Sequence, residues 1–214
     1  MLDLTVMPEQ RRRAAAAARG WMPEEQGLAL YDAAREQADR GLVLEIGSYC
    51  GKSAVYLASG AAETGGVVVA IDHHRGSSEH QPGEYTHDPD LFDPVTGGID
   101  TLPGFRATIA EAGLEDHVVP VVGPSATVAT WWRSPLAMLL IDGSHHLQDA
   151  VADFNGWAHW VMPGGLLAIH DIYPAPRERW QEGPHHIYRL ALSGDFSPYR
   201  AVDTLRILRR AEHA

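Results

Sequence analysis

The sequence predicts a doubly wound α/β fold, in which a mostly parallel sheet carries helices on both faces. Short apolar runs alternate with helical patterns along the chain, and the runs consist almost entirely of Val, Ile and Leu. This alternation is typical of βαβ units, and continuous apolar character is typical of parallel strands that are covered on both faces. The five predicted strands span residues 42–46, 67–71, 118–122, 137–141 and 166–169.

The helices of this pattern are bounded by proline and glycine. Pro8 and Pro23 each stand where a first helical turn begins, which predicts two leading helices in residues 1–41, the second running to about Arg40 and ending at Gly41. The helices between strands are predicted at 52–59, 103–112, 125–132 and 146–160, and a Pro-Gly-Gly turn is predicted at 163–165.

The chain is predicted to be a single domain, because 214 residues of ordinary composition are enough to bury one core. Residues 42–171 contain the regular alternation. In the closing segment, 172–214, the alternation weakens, and residues 199–202 and 205–208 are expected to form an antiparallel pair.

Residues 73–100 interrupt the alternation, with no helical or strand period. They include six acids, four histidines, four glycines and three prolines. A loop of this length inside a domain is usually a functional lid or a disordered segment. Because it begins at the carboxyl end of the second predicted strand, where such sheets bind ligands, we interpret it as a lid.

Charge and composition exclude several classes of protein. The 28 acidic residues against 17 Lys and Arg give a formal charge of -11, which argues against binding to nucleic acid or to anionic membrane surfaces. No apolar run approaches the roughly 20 residues that span a bilayer. The acidic charge also indicates a small or neutral substrate. The single cysteine, Cys50, cannot form an internal disulfide, so nothing indicates an oxidising compartment and a cytoplasmic protein is expected.

The loop after the first strand, residues 45–53, decides between nucleotide sites. A P-loop has four residues between its two glycines, but only three separate Gly47 from Gly51, and Glu45 would place a carboxylate beside the phosphates. The dinucleotide pattern G-x-G-x-x-G fails because Tyr49 replaces its second glycine. ATP and NAD are therefore both disfavoured.

The remaining pattern, E-x-G-x-x-x-G from Glu45 to Gly51, resembles the first motif of the class I S-adenosylmethionine-dependent methyltransferases. The resemblance implies a Rossmann-like methyltransferase sheet, with 42–171 as the cofactor-binding core. It also implies that Asp72 holds the ribose hydroxyls and that Ser125 lies near the adenine, although Ser125 could instead cap a helix. Glu45 would place a carboxylate near this cationic ligand, and Gly47 would let the backbone pass close to it. The other implied cofactor contacts are Ser48, Tyr49, Gly51 and Ser53.

Three polar residues follow the fourth and fifth strands. Asp142 ends the fourth, and His170 and Asp171 end the fifth. The resemblance implies that these two strands are neighbours in the sheet. Neighbouring strands lie about 4.8 Å apart, so the three side chains are expected to converge and to suit Mg2+ or Mn2+. His170 could instead be a core histidine or support the ligands from behind. The arrangement resembles the metal-dependent O-methyltransferases, which place an Asp after the fourth strand and two consecutive polar ligands after the fifth.

The same resemblance suggests a catalytic base. In the catechol branch of that family, a basic residue three positions after the Asp takes the substrate proton, and the matching residue is His145 rather than a lysine. An imidazole titrates near neutral pH and can do this work, and His146 is the competing candidate. Asp142 and His145 are therefore the predicted catalytic residues.

The whole-chain pattern, including residues 71–76 and 144–146, resembles small actinobacterial methyltransferases. It implies methyl transfer to a hydroxyl of a small carbohydrate of the methylated mannoside type, with Tyr85 among the lid residues near it. The alternatives are a phenolic or other secondary-metabolite acceptor, or a non-catalytic S-adenosylmethionine-binding protein that needs no metal. A homodimer is expected by analogy with relatives that associate through added elements.

Overall fold

The computed structural model describes residues 7–84, 86–173 and 182–212. The helices are α1 (Glu9–Ala17), α2 (Glu24–Gln37), α3 (Lys52–Ala62), α4 (Leu102–Glu111), α5 (Ser125–Ala129), α6 (Leu147–Trp157) and α7 (Glu182–Ser193). The strands are β1 (Leu42–Ile46), β2 (Val68–Asp72), β3 (Phe92–Asp93), β4 (Gly98–Ile99), β5 (Val118–Val122), β6 (Leu136–Ile141), β7 (Val161–Ile169), β8 (Phe196–Val202) and β9 (Leu205–Arg210).

Seven strands of the described residues form one sheet in the order β5-β2-β1-β6-β7-β9-β8. The first five run parallel, β9 pairs antiparallel with β7, and β8 completes a hairpin with β9. The predicted fold class is thus confirmed, including the closing antiparallel pair. β1 is the middle one of the five parallel strands, and because they run parallel, its carboxyl end lies at the same edge of the sheet as those of β2, β6 and β7.

The two faces of the sheet are covered by different helices. Helices α1 to α4 pack on one face in a core that includes Val43, and α5 to α7 pack on the other in a core that includes Leu44. Successive residues of β1 therefore enter opposite cores, as expected for a buried central strand. Helices α2 and α3 approach so closely that a Cβ at Gly60 would overlap the Tyr31 carbonyl oxygen.

The strand β5 differs from the expectation of a strand covered on both faces. It lies at one edge of the sheet, and its residues Val119 and Val122 are 49% and 57% exposed. Pro120 lies between them, and proline suits an edge position because it has no N–H to donate to a further strand. Apolar composition alone could not distinguish this edge strand from a buried one.

Helix and strand ends also differ from the predictions. The sequence Pro163-Gly164-Gly165, predicted as a turn, lies inside β7, where the register with β6 shifts between the Leu136 and Met138 pairs. Gly164 has a φ of +72°, and a β-bulge at this point accommodates the Pro-Gly-Gly sequence within the strand. In addition, α2 ends at Gln37 rather than near Arg40, and α5 ends at Ala129 rather than at residue 132.

Residues 73–100, which we interpret as a lid, contain short regular elements that the sequence pattern did not predict. These are 3-10 turns at Ser78–His80 and Pro89–Leu91 and the small antiparallel pair β3-β4. Local side-chain bonds support these turns, since Ser77 and His80 form a capping box and the Asp88 carboxylate accepts from the Asp90 amide. Such contacts leave no hydrophobic period in a sequence. Tyr85, expected among the residues near the acceptor, lies outside the described residues.

No helix in the described part of the chain is both long enough and apolar enough to cross a membrane.

Candidate active site

Two cavities open at the carboxyl edge of the sheet, on either side of the loop after β1. The larger has a volume of about 440 Å³ and is bordered by the ends of β1, β2 and β6 and by the lid. The smaller, about 90 Å³, is bordered by His145, His170 and Asp171. Gly47, Tyr49 and Asp142 border both cavities, so the cavities adjoin each other along a wall formed by such shared residues.

Gly47 is required by the packing of this wall. Its φ is +85°, and a Cβ there would overlap the carbonyl group of Asp142. Gly47 thus allows the β1 loop to approach the end of β6 closely, and its predicted approach to a ligand stays a prediction. Gly51, with a φ of +90°, holds the N-cap position of α3.

The carboxylate of Asp72 organises the same loop. Its Oδ2 accepts hydrogen bonds from the amides of Ser48 (3.0 Å) and Tyr49 (2.8 Å), and its Oδ1 accepts from the amide of His74 (2.7 Å). Asp72 borders the larger cavity, as the resemblance implied for a ribose ligand. Since a carboxylate has about four acceptor positions, three amides leave room for roughly one further donor.

Glu45 lies beneath the cavities and does not border either of them. Its carboxyl group is fully buried, Oε2 accepts from the Ser53 hydroxyl at 2.8 Å, and Oε1 has no hydrogen-bond partner among the described residues. Burial raises the pKa of Glu45 to about 8, against the lowering effect of the Ser53 bond. The group is therefore largely protonated at neutral pH, which differs from the anion expected beside a cationic ligand.

Glu45→Gln is expected to stabilise the protein more at about pH 8.5 than at about pH 5. The folded wild type retains the Glu45 proton up to about pH 8, whereas the unfolded chain releases it near 4.5. Because the folded pKa is raised, the stability that this group contributes is lost as pH rises through that window. Thermal unfolding at both pH values checks this, with the exposed Glu115→Gln as control. An equal shift at both pH values would contradict the raised pKa.

Ser125 is not the N-cap of α5, which is Pro124 and makes no side-chain cap bond. The Ser125 hydroxyl instead donates to the carboxylate of Asp153, and both residues border the larger cavity. Asp153 is 6% exposed, and burial raises its pKa to about 6 against the Ser125 bond. Sequence reasoning missed Asp153, whose only signal was an acid at a buried position of α6.

The predicted metal ligands converge. Asp142, His170 and Asp171 each offer a ligand atom, and these atoms lie within 4.8 Å of one another. His170 Nδ1 lies 2.9 Å from Asp142 Oδ1 and 3.3 Å from Asp171 Oδ2. Burial lowers the pKa of His170, but the charges and hydrogen bonds of the two carboxylates outweigh this and hold the pKa well above its usual value. Asp171 adopts a φ of +59°, which turns its carboxylate back toward this cluster.

His145 extends the cluster into the smaller cavity. Its Nε2 lies 3.0 Å from Asp171 Oδ2, and its Nδ1 lies 3.5 Å from Oε1 of the lid residue Glu79. Burial lowers the pKa of His145, but the Asp171 hydrogen bond and the nearby negative charges raise it overall. The competing candidate, His146, is exposed, holds the N-cap of α6 and borders neither cavity. The geometry thus favours His145 as the base.

Three aromatic rings border the smaller cavity. Trp21, Tyr49 and His80 have centroids 5.2 to 5.3 Å apart, and the His80 ring stacks on both of the others. Trp21 precedes α2 and is 59% exposed, while His80 belongs to the lid. Sequence reasoning missed this cluster because its members lie in three separate loops. It brings apolar ring faces beside the polar group formed by Asp171 and its neighbours.

Solved structures share this fold. Cofactor-bound Rv0187 from MTB is 19% identical with a TM-score of 0.67, covering 95% of this chain and 87% of that one. The O-methyltransferase TomG from Streptomyces achromogenes, involved in tomaymycin synthesis and in complex with SAM, is 18% identical (TM-score 0.66, 97% and 92% covered). An O-methyltransferase from Bacillus cereus in complex with SAH is 17% identical (TM-score 0.66, 97% and 93% covered).

The architecture is that of the class I S-adenosylmethionine-dependent methyltransferases, as the sequence predicted. Residues 44–172 match a family model described as a methyltransferase domain, and the chain belongs to this methyltransferase family. The matched segment begins inside β1 and ends after Asp171. Helices α1 and α2 and the β8-β9 hairpin lie outside it.

Proposed function

We propose that this methyltransferase transfers the methyl group of S-adenosylmethionine to a hydroxyl oxygen of a small carbohydrate, with Mg2+ or Mn2+ held by Asp142, His170 and Asp171. The observation that carries the proposal is the convergence of these three side chains at the smaller cavity, where Asp142 also borders the larger one. A donor in the larger cavity and an acceptor in the smaller one would then meet where the cavities adjoin, beside the metal. The acceptor oxygen would bond to the methyl carbon as the sulfur–carbon bond breaks, and S-adenosylhomocysteine would leave.

The larger cavity suits the donor. Its volume of about 440 Å³ falls in the range typical of small-molecule sites. Asp72 has an acceptor position for a ribose hydroxyl, and the Asp153 carboxylate can accept from an exocyclic amine. The structures of TomG with SAM and of the Bacillus cereus enzyme with SAH support this choice of donor. We propose that Gly47, Tyr49 and Ser125, which border this cavity, contact the donor. We propose supporting roles in the donor site for the other implied residues, which do not border it: Glu45, Ser48, Gly51 and Ser53.

The metal-ligand atoms of Asp142, His170 and Asp171 fit the proposed cation. Two carboxylates and one imidazole form a hard to borderline set, which suits Mg2+ or Mn2+ and favours an oxygen acceptor over a thiol. When bound, such an ion acts as a Lewis acid that makes a hydroxyl more acidic and orients it.

His145 is the proposed general base. Its Nε2 lies 3.0 Å from Asp171 Oδ2, and we propose that this contact orients the ring so that the imidazole takes the acceptor proton at Nδ1. Glu79 Oε1, 3.5 Å from Nδ1, adds a negative charge that stabilises the protonated ring. The lid that carries Glu79 and His80 covers this point and would exclude water from it.

Support for a carbohydrate comes from the surroundings of His145. Sugar rings have apolar faces and hydroxyl edges, and the cavity offers the rings of Trp21, Tyr49 and His80 beside the carboxylates of Glu79 and Asp171. The same stacked rings favour a phenol as the second candidate, because a planar aromatic acceptor also stacks on them. We further propose one domain across residues 1–214 and a homodimeric state, which sedimentation would test.

The decisive experiment measures methyl transfer from S-adenosylmethionine to methylated mannosides and to catechol, with Mg2+ or with chelator. We expect transfer to a mannoside that falls about 100-fold or more with chelator, in line with Lewis-acid catalysis. Asp142→Asn should reproduce the chelator effect, while the exposed Asp116→Asn should not. Rates that are unchanged by chelator would refute metal assistance, and transfer to catechol alone would establish the phenolic acceptor.

A further inference from the structure

Gln26, in the first turn of α2, reaches the proposed metal site from outside the segment that matches the family. Its side chain is 1% exposed, and its Oε1 lies 2.6 Å from Nε2 of His170. His170 Nδ1 is the atom that faces Asp142 and Asp171. The two nitrogens of the ring thus face different partners, one in the site and one behind it.

The orientation of the Gln26 amide is determined by the β8-β9 hairpin. Gln26 Nε2 lies 3.1 Å from Oγ1 of Thr204 and 3.3 Å from Oδ2 of Asp203. A carboxylate only accepts hydrogen bonds, so the amide nitrogen must face Asp203 and the amide oxygen must face His170. Consequently the Nε2–H of His170 donates to Gln26.

We propose that Gln26 is a positioning residue that holds His170 as a metal ligand through Nδ1. A histidine that binds a metal usually donates its other N–H to an oxygen, which fixes its tautomer and ring plane. Gln26 supplies that oxygen, and Asp203 and Thr204 hold the amide in the required direction. The inference rests on the proposed function, since it assigns a role toward the metal of that same site.

A purely structural role for Gln26 makes a different prediction. If the amide only tied α2 to the hairpin, its loss would lower stability without changing metal affinity in the folded protein. Gln37 provides the matched control, because it is a glutamine on the same helix, is 2% exposed and accepts from Arg40 Nη1 at 2.7 Å, away from both cavities.

The test measures Mn2+ binding by titration calorimetry and by the electron paramagnetic resonance of free Mn2+, on wild type, Gln26→Leu and Gln37→Leu. We expect Gln26→Leu to weaken Mn2+ binding about 10- to 100-fold, as for other residues that support metal ligands, and Gln37→Leu to leave it unchanged. In the double variant Gln26→Glu with Asp203→Asn, the side chain at position 26 still accepts from His170, and the side chain at position 203 now donates to it. This variant should therefore bind Mn2+ more tightly than Gln26→Leu, close to wild type. It also covers the case in which Gln26→Leu does not fold.

The outcomes separate the two proposals. Wild type that binds Mn2+, with Gln26→Leu binding equally well, would overturn the positioning role and leave the metal-assisted function intact. Equal weakening in the Gln26 and Gln37 variants would also overturn it, because the effect would then be a general one on α2. Wild type that binds no Mn2+ at millimolar concentration would refute the metal site itself, and the role of Gln26 with it.

Discussion

Asp171→Asn is expected to lower kcat/KM for methyl transfer on the order of 10³-fold, with little loss of folded protein. The Asp171 carboxylate contacts both His170 Nδ1 and His145 Nε2, so it serves the proposed metal site and the proposed base together. Removing an acid that orients a catalytic imidazole costs as much as 10⁴-fold in well-studied hydrolases. The asparagine keeps the size of the side chain but loses its charge, and one of its two groups can only donate.

Steady-state kinetics with saturating donor measures this effect, and thermal unfolding confirms that the variant is folded. Asp116→Asn, on the surface, is the control for removal of one negative charge. A variant that retains more than about a tenth of wild-type kcat/KM would exclude Asp171 from the chemistry, because general base catalysis alone contributes about 10² to 10⁴.

Gly47→Ala is expected to lower the free energy of unfolding by about 3 kcal/mol or more. Two costs add at this position. An alanine must adopt a φ near +85°, and its Cβ must displace the backbone of Asp142, which cannot yield as a flexible side chain would. The wall between the two cavities would shift with it, so donor affinity should fall as well.

Urea unfolding of Gly47→Ala beside Gly65→Ala separates the two costs. Gly65 has a φ of +75°, but a Cβ there would meet nothing within 4 Å, so this variant measures backbone strain alone, about 1 to 2 kcal/mol. If the two substitutions had equal effects, the contact with Asp142 would not contribute to stability.

Elements that are marked by local sequence patterns, and side chains at the ends of strands, were predicted well from the sequence. The strands and the order of elements along the chain follow from hydrophobic period, and the convergence of Asp142, His170 and Asp171 follows from the strand order that the family resemblance implied. The pairing of Ser125 with Asp153 was missed, because the local sequence could only suggest a cap. Whether a side chain caps its own helix or bonds to a distant one depends on packing across the sheet.

Contacts between distant segments could not be predicted. The stacking of Trp21 on His80 and the hydrogen bond from His170 to Gln26 join loops and helices that are 59 and 144 residues apart. The protonation state of Glu45 could not be predicted from the motif either. An acid next to a glycine motif suggests an anion, whereas its full burial in the structure raises the pKa so that the carboxyl group keeps its proton.

The three amides that Asp72 holds have a consequence for the kinetics of donor binding. Because the carboxylate already fixes the backbone at Ser48, Tyr49 and His74, the conformational entropy of this loop is lost during folding and not during ligand association. If the donor binds here as proposed, it meets a preformed rim, and its association rate should depend on diffusion and on movement of residues 73–100 rather than on rearrangement of this loop.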